Sequence, residues 1–231
     1  MYKIRVALLG SVALLILGSV TSSAASAAGP YWRVNGSRLE TGAKQAKVSA
    51  GATELKAKLL GIGLTIQCEA ASVAGASIIG NETSQGQDEA KSITFEKCKL
   101  VAPAKCLVEP IKTLPVKSHL AINGTQIVDL FEPTTGTAFT TITIKNGSEK
   151  CSVAGKYPVM GDIAAEVKPE GTEVKSGELL FPGTPIKAVK KEGGSEEAIG
   201  LEIGNKGNPA SFSGKFAVGL ESGEAFGAFT T

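Results

Sequence analysis

Leu59-Leu60-Gly61-Ile62-Gly63-Leu64-Thr65-Ile66-Gln67-Cys68-Glu69 alternates strictly from Leu60 onward. Leu60, Ile62, Leu64, Ile66 and Cys68 fall on one face of an extended chain, with Gly61, Gly63, Thr65, Gln67 and Glu69 on the other. Strand side chains point to alternate faces, so this period of two predicts a half-buried β-strand over 59–69. The same rhythm returns over 211–221, where Phe212, Gly214, Phe216, Val218 and Leu220 share a face. Shorter copies run through Val116-Ser118-Leu120-Ile122, Thr140-Ile142-Ile144 and Ile199-Leu201-Ile203. Breakers such as Pro169-Glu170-Gly171, Pro182-Gly183 and Asn208-Pro209 separate them. The best helical candidate, Thr53 to Leu60, is short and is stopped by Gly61. The chain therefore reads as all-β, an antiparallel β-sandwich or β-barrel.

Three Asn-Gly pairs, at Asn35, Asn123 and Asn146, suit two-residue hairpins of type I′, because both central residues tolerate positive φ. That turn at Asn123-Gly124 would set Leu120 opposite Ile127, Ile122 opposite Thr125 and His119 opposite Val128. These pairs and Asn81-Glu82-Thr83 are also formal glycosylation sequons.

The N-terminus reads as an address. Lys3 and Arg5 precede an aliphatic run from Val6 to Val20, followed by Ser22-Ser23-Ala24-Ala25-Ser26-Ala27-Ala28. Positive, apolar and small-residue regions in that order predict a secretory signal peptide over 1–28, cleaved after Ala27 or Ala28. Residues 29–231 would then form a single mature β domain, with a possible sub-boundary near 168–177, where charge and breakers concentrate. Cleavage removes two basic residues and leaves 22 Lys and Arg against 22 Asp and Glu. A neutral chain has no electrostatic footprint for nucleic acid, and no span of the mature part is apolar enough to cross a membrane. The expected location is secreted, periplasmic or at the cell envelope, with an unidentified extracellular or envelope partner.

Cys68, Cys98, Cys106 and Cys151 all lie in the mature part. An even number of cysteines in an exported chain predicts two disulfides. We expect the sequential pairing Cys68–Cys98 with Cys106–Cys151; the alternative is the nested Cys98–Cys106 with Cys68–Cys151, helped by a turn at Pro103. No C-x₂₋₄-C spacing occurs and His119 is the only histidine, so neither a zinc site nor any other cofactor is expected.

Catalytic patterns are absent. A Ser-His-Asp hydrolase would have to use His119, and no G-x-S-x-G turn accompanies it. There is no phosphate-binding G-x-x-x-x-G-K motif, and the three aspartates, Asp88, Asp129 and Asp162, are far apart in sequence. No catalytic residue is assigned. One constellation stands out: Arg33 and Arg38, the only arginines of the mature part, would face each other across an Asn35-Gly36 turn beside Tyr31 and Trp32. Like charges directly opposite are unfavourable, so the pair needs compensation. A carboxylate or phosphate of a partner would supply it, and so would a solvated terminal strand with Trp32 packed on Leu39. Arg33, Arg38 and Trp32 are thus the ligand or partner candidates. The bare Gly61-Gly63-Thr65 face is read as architectural.

The leading functional expectation is a noncatalytic, secreted or envelope binding or structural module. The second is a carrier of a lipid or small molecule in an apolar barrel interior. The third is a small glycoside hydrolase using two glutamates. An apolar interior cavity is the feature that would separate the carrier from the other two.

Overall fold

The computed structural model describes residues 29–82, 85–191, 194–204 and 207–230. The expected signal peptide over 1–28 lies outside the described residues, as does Thr83 of the Asn81 sequon. All regular secondary structure among the described residues is β-strand.

Eight strands close into an antiparallel barrel. They are β1 (Ala43–Leu59), β2 (Ala76–Ile79), β3 (Gln87–Ala90), β4 (Val116–Asn123), β5 (Gln126–Pro133), β6 (Ile163–Lys168), β7 (Gly177–Phe181) and β8 (Pro209–Leu220). Each pairs with the next in chain order, and β8 returns to β1. Closure leaves these strands without a free edge. The stretch 168–177, where charge and breakers concentrate, contains the connection between the paired strands β6 and β7.

The two longest strands reach beyond the barrel and carry a second ring. The Thr53–Leu59 part of β1 pairs with Ile62–Cys68, which pairs with Lys99–Ala102. On the other side, the start of β8 pairs with Leu201–Ile203, which pairs with Gly155–Gly161. That strand pairs with Ala138–Asn146, and Ala138–Asn146 with Cys106–Val108. Among the described residues no strand ladder joins Lys99–Ala102 to Cys106–Val108, so the ring has a seam there. The disulfides are Cys68–Cys98 and Cys106–Cys151, the sequential pairing, and they anchor the two strands that flank this seam.

Several local expectations are corrected. The strand expected over 59–69 is the tip of a hairpin: β1 ends at Leu59, Leu60 and Gly61 turn with φ of 51° and 81°, and the next strand starts at Ile62. Leu60 is consequently 76% exposed instead of facing the core. Positive φ at both central residues is the type I′ requirement, here met by Leu-Gly instead of Asn-Gly. The best helical candidate, Thr53 to Leu60, is strand through Leu59. The alternation along β1 as a whole is broken just before this segment by a bulge: Gly214 pairs with Thr53 and Phe216 with Ala50, so β1 carries one extra residue at Gly51-Ala52. Inward positions therefore switch from Ala46, Val48 and Ala50 to Thr53, Leu55 and Leu59.

The Asn-Gly turns divide. Asn35-Gly36 forms the expected tight turn, with φ of 49° and 83°. At the second, Asn123 pairs with Gln126, so Gly124-Thr125 is the loop. Ile122 then faces Ile127, Leu120 faces Asp129 and His119 faces Leu130. The third is no two-residue hairpin: the chain leaves its strand at Asn146, whose side chain accepts a hydrogen bond from the Cys151 backbone (2.8 Å), and the next strand begins at Gly155.

Candidate ligand cavity

Alternation decides what the barrel encloses. On β5, Ile127, Asp129 and Phe131 face inward, while Val128 and Leu130 face outward beneath Val189. With both faces covered, the strand reads as an apolar run, Ile-Val-Asp-Leu-Phe, with one acid in its middle. On β4, Ser118 and Leu120 face inward, and on β3, Asp88 does. Ser118 pairs directly with Asp88, and Asp129 sits opposite Leu120, one step along the barrel. Three polar side chains therefore converge at one place on a mostly apolar wall.

A cavity of about 180 Å³ occupies this interior and extends toward the second ring. Its walls are almost wholly apolar: Phe131, Phe181, Phe212 and Phe216 line the middle, and Leu55, Ile66 and Ile142 line the far side. Three of these rings meet edge to face or tilted within 5.2–6.4 Å, a rigid aromatic wall.

The barrel end is plugged by Trp32. Strand Tyr31–Val34 pairs with Phe226–Phe229 across that end, leaving Trp32 3% exposed against the Phe226 ring at 6.1 Å. Leu39 packs in the same cluster. Gly86 makes room for the indole: a Cβ there would lie 2.7 Å from Trp32 Cδ1. The Trp32 indole N–H donates to Asp88 Oδ2 at 3.2 Å, and the Ser118 hydroxyl donates to Asp129 Oδ2 at 3.2 Å. Asp129 is 1% exposed, and its Oδ1 has no hydrogen-bond partner among the described residues.

The electrostatics follow from burial. Asp88 is held well above the usual carboxylate range, first by loss of water and then by the Asp129 charge, against hydrogen bonds from Trp32 and Ser118. Burial raises Asp129 to about 7, opposed by the Ser118 hydrogen bond. Two carboxyl groups in low dielectric cannot both ionise cheaply, so the pair holds protons that exposed aspartates would have lost.

The residues singled out in the sequence are divided by the fold. Trp32 joins the cavity wall. Arg33 and Arg38 do face each other, and the chain itself supplies compensation. Arg33 Nε lies 3.3 Å from Glu173, whose carboxylate also accepts from the Gly36 backbone N–H, and its guanidinium lies over the Phe229 ring at 4.4 Å. Arg38 stacks over Tyr31 at 4.7 Å and donates to the Asn81 carbonyl at 3.2 Å. His119 is half-buried on the outer face of β4, and burial holds its imidazole below its ordinary value against the pull of Glu132. Asp88, Ser118 and Asp129 were not foreseen. The available signal was Asp129 itself, the one acid inside the apolar run Ile127-Val128-Asp129-Leu130-Phe131.

No group of three or more His, Cys, Asp or Glu among the described residues is arranged to hold a metal ion. No helix among the described residues is long and apolar enough to cross a membrane. Two disulfides are compatible with an oxidising, extracytoplasmic location. Compared with family models, curated proteins and solved structures, the chain matches none of them.

Proposed function

We propose that this chain is an extracytoplasmic, noncatalytic β-barrel that binds a small, largely apolar molecule in its interior. The cavity of about 180 Å³ carries this reading, because it is the feature that favours a carrier over a structural module. An apolar cavity of roughly 150 Å³ admits benzene or xenon, and a mostly apolar one of about 180 Å³ suits a guest of similar size. The size also limits the guest. Sites for drug-sized ligands run to roughly 300–1,000 Å³, so the fit is to a single ring or a short alkyl chain, not a long-chain lipid.

Trp32 is the only tryptophan and lines the cavity, which makes its fluorescence a reporter. Titrating the oxidised protein with toluene should change Trp32 emission saturably and raise the thermal midpoint, since a ligand that binds only the folded state stabilises it. An unchanged emission and midpoint up to the solubility of toluene would count against the cavity as a binding site and return the structural module to first place.

A further inference from the structure

We infer that the cavity selects an amine: the Asp88–Asp129 pair at its polar end is built to receive the ammonium group of a small molecule whose apolar body lies among the phenylalanines. The inference rests on the apolar-cavity reading and adds the chemistry of the ligand's head.

The Trp32 and Ser118 donors at that end are already given to the two carboxyl groups, the indole N–H to Asp88 and the hydroxyl to Asp129. What remains is acceptor capacity, including the partnerless Oδ1 of Asp129, in a residue that is 99% buried by its 1% exposure. A buried polar atom without a partner is costly, and once the carboxyl group has given up its proton a ligand N–H would satisfy it.

The other charged residues that contribute to the cavity wall are engaged elsewhere. Lys168 pairs with Glu166, Glu178 with Lys215, and Glu89 accepts from Ser77. Among the described residues no cation pairs with either aspartate, and the charge that acts on Asp88 is that of Asp129. An ammonium group would fill that role, and the carboxyl group it meets would release its proton to solvent. Burial is what keeps that proton in place beforehand, so amine binding should be linked to proton release and should tighten as pH rises from 5.5 to 8.

The test compares benzylamine, benzyl alcohol and toluene on the oxidised full-length mature protein, by calorimetry in two buffers of different ionisation enthalpy and by Trp32 emission. Benzylamine should bind at least about tenfold more tightly than either neutral analogue at pH 8, as expected for a charge-assisted contact in a desolvated site. It should release protons at pH 5.5. Asp129→Asn and Asp88→Asn should each reduce the preference for benzylamine over toluene, and the double variant should abolish it. Toluene or benzyl alcohol binding as tightly as benzylamine would overturn amine selection and leave the apolar-cavity reading standing. Failure of all three to bind would overturn both. The wild-type ligand series and its proton release decide the matter even if a variant does not fold.

Discussion

Around the Thr53–Leu59 end of the β1–β8 ribbon, Leu59, Leu64, Ile66, Ile142, Ile144 and Ile203 are almost inaccessible, and both disulfides belong to the same cluster. Around the Ala43–Ala50 end the barrel contains no cysteine, yet two carboxyl groups face its interior. The contrast follows from closure. The barrel's ladder is continuous, so every strand is held on both sides by backbone hydrogen bonds. The second ring is built partly from strands of three and four residues and has a seam between Lys99–Ala102 and Cys106–Val108. Each strand at the seam is tied back by its own disulfide. Cross-links stand where the ladder is missing, and polar burial is tolerated where it is complete.

Removing the cross-links should break the comparison most strongly. Loops closed over sequence separations of 30 and 45 residues correspond to roughly 3.5–4 kcal/mol each in the chain-entropy model, less if the reduced chain keeps structure. Replacing all four cysteines by alanine should therefore cost several kcal/mol in a urea titration. Hydrogen exchange should show where: protection should fall first at 62–68, 99–108 and 138–146, and persist longest in β4, β5 and β6. Equal loss of protection in both rings would show that they unfold as one unit and that the seam has no special weakness.

The second way to sharpen the contrast is to remove the buried charge. Asp129 titrates near 3.9 in an unfolded chain and at about 7 in the fold. Between those values the folded state keeps a proton that the unfolded state has lost, so this group makes stability fall as pH rises through that window. Its full contribution is present below about pH 4 and is gone above about pH 7; Asp88, raised for the same reason, acts in the same sense. Asp129→Asn keeps the acceptor for Ser118 and cannot ionise. It should stabilise the protein by on the order of 1–3 kcal/mol at pH 8 and leave it nearly unchanged at pH 4. Denaturant midpoints at the two pH values would check this; a loss of stability at pH 8 would mean that the carboxylate is ionised and matched in the fold.

The same contrast governs how much the sequence disclosed. The 116–122 and 211–221 runs have inner faces that alternate without interruption on the strand itself, and they are strands where expected. The sequential disulfides were also legible. β1 was not, because one extra residue at Gly51-Ala52 shifts its inward positions from even to odd and breaks the period on which a strand is recognised. Register at Gly124 was misjudged by assigning the turn to Asn123-Gly124, a two-residue slip that preserves the faces and changes the partners. The acid pair was out of reach for a different reason. Asp88 and Asp129 lie 41 positions apart in sequence and meet only because β4 sits between their strands, a fact of topology that no local pattern encodes.

The smallest expected effect lies at the arginine pair, outside both rings. Arg33 and Arg38 face each other across the Asn35 turn, and Glu173 is the carboxylate that reaches this turn from the 169–176 connection. If that carboxylate is what makes the like-charge pair tolerable, Glu173→Gln should destabilise the protein, though only modestly. The Arg33 side chain is 32% exposed, so water already screens much of the attraction, and the loss should be about 0.5–1 kcal/mol at low salt. It should shrink toward zero at about 1 M salt, where the Debye length is only about 3 Å. Arg33→Gln on the Glu173→Gln background should then recover stability, because it removes the repulsion that the carboxylate had offset. Midpoints of the single and double variants at low and high salt measure this coupling. A loss that persists at high salt would assign Glu173 the role of capping the Gly36 backbone N–H, with the charge of the arginine pair carried by the Phe229 and Tyr31 rings beneath it.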